Sequence, residues 1–187
     1  MNKYEDMVKA LSKPGAEIVV SMTGEEAHIL HMAVGVMGET CEFVKTVSTH
    51  ADEEGEKNMI EEMGDVEFYF EGLRQGINTH PTRYLTSSIR STNNALIKLV
   101  ITAGELLDTA KKLVVYKDST KMELLHQNMQ DFVSVFDWFY LDLGITQEEV
   151  LKGNMKKLGK RYEDFKYSDR AAQQRVDKNG GQHGKDY

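Results

Sequence analysis

Gly38-Glu39-Thr40-Cys41-Glu42-Phe43-Val44-Lys45 and Gly104-Glu105-Leu106-Leu107-Asp108-Thr109-Ala110-Lys111 carry the same charged residue types at the same spacing, 66 residues apart. Holding that shift without a gap also places Asp52 on Asp118, Met63 on Met129 and Asp65 on Asp131. Six of the 28 pairs from Gly38 to Asp65 are identical, and most of them fall on polar residues within otherwise apolar helices. A repeat of this length decides the architecture before any local signal does. Each copy reads as a helix–turn–helix hairpin, and two hairpins in one chain make a four-helix bundle.

The flanking sequence agrees. Tyr4, Met7, Val8 and Leu11 recur at helical spacing, which predicts a short amphipathic helix over 3–11, stopped by Pro14-Gly15. Thr23-Gly24-Glu25-Glu26 has the capping-box spacing and predicts a long helix to about Val47. A polar turn is expected from Asp52 to Gly55. A helix over 57–75 follows, with Met59, Ile60, Met63, Val66, Phe70 and Leu73 on one side, until Asn78-Thr79-His80-Pro81 breaks it. The third helix is expected from about Ser87 to Tyr116. A second capping box, Thr120-Lys121-Met122-Glu123, opens the fourth, about 121–143, which Gly144 closes. Thr146-Gln147-Glu148-Glu149 caps a fifth through about Lys160. No alternating strand pattern competes. The expected fold is all-α: a bundle of two tandem helix hairpins plus short N- and C-terminal helices. One domain covers 1–178, with repeat 1 at about 24–77 and repeat 2 at about 87–145, and a flexible tail at 179–187.

The 187 residues, 40% of them hydrophobic, suit one domain with a real core. Lys+Arg 23 against Asp+Glu 30 leaves a net charge of −7, which argues against duplex nucleic acid as a partner and suits a chain that concentrates cations. Cys41 is the single cysteine, so no internal disulfide is available and a reducing, cytoplasmic setting is expected. No run reaches the roughly 18 apolar residues of a membrane span, and the charged opening Met1–Asp6 does not read as a signal peptide.

Four carboxylates carry the chemistry. Glu39 and Glu42 are three apart on the first long helix, and Glu62 and Asp65 are three apart on the next, so each pair shares a helix face. An antiparallel hairpin can set the pairs opposite each other. Such a group repels itself unless a hard cation joins it, and an all-oxygen set points to Mg²⁺ or Mn²⁺. The competing reading is a solvated acidic face. Against it, Glu39 and Glu42 sit among Val34, Val36, Met37, Phe43 and Val44, and neither has a Lys or Arg four residues earlier. The second copy keeps Glu105 and Asp108 but has Asn128 and Asp131 as its other pair, one charge fewer. A rival di-iron reading rests on Glu25-Glu26-Ala27-His28 and Glu123-Leu124-Leu125-His126, both Glu-x-x-His. Those residues fall in first helical turns, at the bundle end, whereas di-iron ligands sit mid-helix. His31 reads as a partly buried helix histidine and Cys41 as core.

The stretch His28–Gly35 followed by Gly38-Glu39-Thr40-Cys41-Glu42, with Asn58-Met59-Ile60-Glu61-Glu62-Met63-Gly64-Asp65-Val66-Glu67-Phe68-Tyr69, resembles the MazG-like nucleoside triphosphate pyrophosphohydrolases. Together the two stretches fit that family's Glu-x-x-Glu … Glu-x-x-Asp metal motif. Gly144–Glu149, Asn154–Tyr162 and Tyr167-Ser168-Asp169 resemble the endings of its phage-type members, which would place the chain in a host cytoplasm. The second hairpin departs from the usual single-hairpin pattern. The resemblance implies hydrolysis of a (d)NTP to a monophosphate and pyrophosphate, with Mg²⁺ held by Glu39, Glu42, Glu62 and Asp65 and with Glu39 as general base. Lys45, Lys111, Lys112, Lys117, Lys157 and Arg161 are candidates to hold substrate phosphates. Phe68, Tyr69, Tyr116 and Trp138 are candidate partners for the base. All-α dimeric dUTPases share the superfamily, which keeps dUTP and dCTP as candidate substrates and a homodimer as a candidate assembly. The alternatives are a non-catalytic helical interaction protein on the same scaffold and the di-iron oxidoreductase.

Overall fold

The computed structural model describes residues 3–49, 53–83 and 89–177, and among them every regular element is helical. In chain order these are α1 (Lys3–Leu11), α2 (Gly15–Ser21), α3 (Gly24–Thr49), α4 (Glu53–Gly76), α5 (Thr92–Val115), α6 (Met122–Asp142), α7 (Gln147–Arg161) and α8 (Asp169–Gln174). The fold is therefore all-α. Among the described residues, no helix is long and apolar enough to cross a membrane. The expected tail at 179–187 lies outside the described residues.

Two of the three expected capping boxes form. The Glu26 N–H donates to Thr23 Oγ1 at 3.1 Å while the Thr23 N–H donates to Glu26 Oε2 at 2.8 Å, opening α3. Thr146 and Glu149 repeat the arrangement at the start of α7. The third does not form. Asp118 takes both the N–H and the hydroxyl of Thr120, which is drawn into a 3-10 turn over Ser119–Lys121, so α6 starts at Met122 without a side-chain cap. The turn expected at 52–55 is also corrected. Asp52 lies outside the described residues, but residues 53–55 already belong to α4. The third helix starts at Thr92 rather than near Ser87, because the Ser91 hydroxyl accepts the Asn94 N–H and caps it. Residues 84–88 lie outside the described residues. α2 and α8 had no periodic signal, being 7 and 6 residues long.

α3 pairs with α4 and α5 with α6; α3 also lies along α5, and α7 lies along α4. The paired helices end in step: α3 at Thr49 and α5 at Val115, α4 at Gly76 and α6 at Asp142, each pair 66 residues apart. Aromatic side chains fill the space between the hairpins. Phe43 of α3 meets Phe136 and Phe139 edge-on at 6.0 and 5.0 Å between ring centroids. Phe70 of α4 stacks on Phe132 at 5.5 Å, and Phe132 on Phe136 at 5.8 Å. Fully burying each such side chain contributes about 1.5–3 kcal/mol.

Two glycines set the spacing around the carboxylates. A Cβ on Gly35 would lie 2.0 Å from the Tyr69 ring, so only glycine lets α3 and α4 close there. A Cβ on Gly64 would lie 2.9 Å from Asn154, so this glycine seats α7 on α4. The outer side of α3 is less covered than its apolar sequence implied. Cys41, expected in the core, is exposed, as are His31 and Val34. A single hairpin partner and α5 cover only part of the helix's circumference, and His31 rests its ring edge-on to Tyr69 at 6.0 Å.

Candidate metal centre

Glu39 and Glu42 face out of α3 one turn apart, and Glu62 reaches them from α4. One carboxylate oxygen from each lies within 4.8 Å of the other two. Oxygens sharing one hard cation at 2.0–2.6 Å are at most about 4–5 Å apart, so the three are spaced to fit one. Glu39 is half-buried. Its carboxyl is pushed up to about 7, first by burial and then by the negative charges of Asp65, Glu42 and Glu62, with Lys157 pulling the other way.

Asp65 stands beside this group. The Lys157 ammonium donates to both of its oxygens at 2.5 Å, and Asn154 Nδ2 donates to Oδ1 at 2.9 Å. Lys157 also lies 3.3 Å from Glu61 Oε1. α7 therefore presents an ammonium and an amide to the acidic edge of the hairpin. Asn154, Lys157 and Arg161 are spaced three and four apart, one face of one helix, a pattern visible in the sequence once α7 is known to cover α4.

Compared with known proteins, the chain matches no family model, no curated protein and no solved structure.

Of the basic candidates, Lys157 reaches the acidic edge, and the others do not converge on it. Lys45 is exposed on α3, one turn beyond Glu42. Lys111 and Lys112 both pair with Asp108, at 2.8 and 2.6 Å. Lys117 pairs with Glu26 at the start of α3, about 20 Å along that helix from Glu39. Arg161 is held by both carboxylate oxygens of Asp177. Of the aromatic candidates, Tyr69 adjoins the site: burial raises its phenol, and so do the nearby charges of Glu39 and Asp65. Trp138 packs edge-on to Phe139 in the bundle, and Phe68 and Tyr116 are exposed.

The second copy is built differently. Asn128, where the first has Glu62, is buried and donates to the Glu105 carbonyl at 3.1 Å and to Thr109 Oγ1 at 2.8 Å. Its amide ties α5 to α6 instead of facing a cation. Asp131 accepts from Gln127 at 2.9 Å. The Glu-x-x-His pairs do not gather either: His28 Nε2 lies 3.0 Å from the Gly72 carbonyl, and Glu26 rather than Glu25 is engaged, by Lys117 and Thr23. Among the described residues, Glu39, Glu42 and Glu62 are the one group of three or more such side chains close enough to hold an ion together.

The raised Glu39 carboxyl has a measurable consequence. With a folded-state pKa near 7 against 4.5, the folded chain holds more protons than the unfolded one between those values. Stability without metal must therefore fall as pH rises through that window, by at most about 3 kcal/mol before solvent screening. Thermal melts in EDTA should show the parent losing stability relative to Glu39→Gln between pH 4.5 and 7.5. Mg²⁺ or Mn²⁺ should restore the parent at pH 7.5 and do little at pH 4.5. Parallel pH curves for parent and variant would contradict the geometry of the cluster.

Proposed function

We propose that the chain is a metal-dependent nucleoside triphosphate pyrophosphohydrolase of MazG-like type, converting a (d)NTP and water to a (d)NMP and pyrophosphate. The observation that carries the reading is the convergence of Glu39, Glu42 and Glu62 from both arms of one hairpin onto a single point, with Asp65 adjoining. A Mg²⁺ or Mn²⁺ ion held by these carboxylates supplies charge neutralisation for the phosphates and acidifies water near it. Glu39 accepts the proton of the attacking water. That water's oxygen forms the new bond to the α phosphorus, and the bond from that phosphorus to the bridging oxygen of the β phosphate breaks. Lys157, which now donates to Asp65, exchanges that contact for a phosphate oxygen.

Incubating the protein with Mg²⁺ and each standard NTP and dNTP, dUTP included, and separating the products by chromatography tests this directly. A monophosphate with pyrophosphate is the expected pair. Diphosphate with orthophosphate overturns the bond assignment, and no turnover of any triphosphate leaves a non-catalytic scaffold as the reading. The copies should also differ. Because Asn128 is committed to α5 and Asp108 to two lysines, Glu105→Gln and Asp131→Asn should keep turnover within about threefold of the parent, whereas an interaction made only in the transition state would cost far more. Inactivation by Glu105→Gln as complete as that by Glu39→Gln would mean that both copies share the chemistry.

A further inference from the structure

Beyond α7 the chain makes a tight turn that packs back on α7 itself. Asp164 and Phe165 both adopt left-handed backbone, φ 53° and 54°, which non-glycine residues hold only where their surroundings fix it. The Phe165 ring rests against Gly159, where a Cβ would lie 3.3 Å from it. This turn brings Tyr167 beside Tyr162, ring centroids 5.9 Å apart and tilted by 33°. The Arg161 guanidinium lies 5.9 Å from the Tyr162 centroid and is locked by Asp177, whose side chain is 1% exposed. Tyr167 donates its hydroxyl to Asp169 at 2.8 Å yet is 73% exposed, so one aromatic face stands open to solvent. A cavity of about 460 Å³ lies alongside, with Lys166, Arg170 and Tyr167 among its walls. Arg161 and Tyr162 stand one helical turn beyond Lys157 at the end of α7, and the Lys157 ammonium donates to both oxygens of Asp65, so this end of α7 borders the acidic group.

We propose that Tyr162 and Tyr167 form a stacking platform for the nucleobase of a nucleotide whose phosphates reach the Glu39–Glu42–Glu62 group, with Lys166 and Arg170 at the rim of the cavity. The proposal rests on the nucleotide reading given above and adds the residues that hold the base. Three features favour a base over a phosphate on the rings. The open face of Tyr167, backed by the half-buried Tyr162 ring, offers a planar π-system something to stack on. The cavity is within the size range of small-molecule sites. Arg161, the guanidinium closest to the rings, is already engaged by Asp177 and so stiffens the platform.

The experiment compares the parent with Tyr162→Leu, Tyr167→Leu and Tyr167→Phe. For each, kcat and KM are measured over the NTPs and dNTPs, with inhibition by inorganic tripolyphosphate, which carries phosphates and no base, and with calorimetric titration of nucleoside monophosphates. Both Leu variants should raise KM about tenfold with kcat little changed, since loss of one base–aromatic stack has that size. Both should also lose monophosphate binding and keep the parent's tripolyphosphate inhibition. Tyr167→Phe, which keeps the ring and loses the hydroxyl bonded to Asp169, should raise KM far less than Tyr167→Leu. Unchanged KM in both Leu variants overturns the platform, and so does an equal loss of tripolyphosphate inhibition, which would make the rings part of a phosphate site. If the parent hydrolyses no triphosphate, the pyrophosphohydrolase reading falls alone so long as nucleotides still bind and Tyr162→Leu removes that binding. A parent that binds no nucleotide overturns the platform as well.

Discussion

Glu39→Gln should lower pyrophosphate release by about a hundredfold or more while leaving the helical content of the chain unchanged. On the reading proposed above, the substitution removes a cation ligand and the proton acceptor together, and loss of a positioned general base alone typically costs that much. Glu42→Gln and Glu62→Gln each remove one ligand and should cost at least about tenfold, which is about 1.4 kcal/mol of barrier. EDTA should abolish activity in the parent, and Mg²⁺ or Mn²⁺ should restore it. Asp65→Asn tests a different contact. It keeps the shape of the side chain but releases the Lys157 ammonium from its carboxylate, so its loss, about tenfold, should be accompanied by a changed KM. Full activity in two of the three glutamate variants would sink the site.

The largest effect on stability is expected at Arg83→Ala. Glu67 sits on α4 with 4% of its surface exposed, deep enough that a lone carboxylate would be costly. Arg83 Nη2 donates to both of its oxygens at 2.8 Å, and Arg83 Nη1 donates to Asp137 of α6. The Tyr140 hydroxyl donates to Glu67 at 2.7 Å, and Gln147 Nε2 of α7 donates to the same Glu67 oxygen at 3.3 Å. One guanidinium therefore balances two carboxylates where α4, α6 and α7 meet. Removing it leaves uncompensated buried charge, worth about 3–5 kcal/mol, or roughly 10 °C in Tm for a chain of this size. Adding Glu67→Gln to Arg83→Ala should recover a large part of the loss, because the amide needs no counter-charge. A Tm within about 2 °C of the parent for Arg83→Ala would show that the cluster is solvated rather than buried.

The helices were legible because their signals are local. Thr146 and Glu149 specify a helix start within four residues, and the apolar spacing of α3 to α6 specifies which stripe faces inward. Thr120 misled because Asp118, two residues earlier, competes for the same hydroxyl and wins. Glu39, Glu42 and Glu62 were legible from spacing alone, since i and i+3 share a face whatever the partner. What Asp65 touches was not, because its ammonium and amide arrive from positions 92 and 89 residues downstream, once α7 is seated on Gly64. Glu67 was overlooked for a related reason. Between Val66 and Phe68 it reads as the wet side of a helix, and only the return of the chain to Arg83 turns it into buried charge. Cys41 and His31 erred the other way: an apolar neighbourhood in sequence does not say which side of a helix its partners will cover.

The two hairpins are joined in one polypeptide, and that frees them from a constraint that separate copies would obey. In a symmetric pair of identical chains every substitution appears on both sides of the axis, so a residue that improves packing but harms the site is harmful twice. Here Asn128 can stitch α5 to α6 while its counterpart Glu62 remains a carboxylate, and Asp108 can be neutralised by Lys111 and Lys112 while Glu42 is left with the acidic group. Tandem linkage thus permits one half to specialise as a wall while the other keeps its carboxylates together. Splitting the chain between Ile77 and Ser91 and mixing the halves would reveal how much of that asymmetry the first hairpin needs in order to keep its shape.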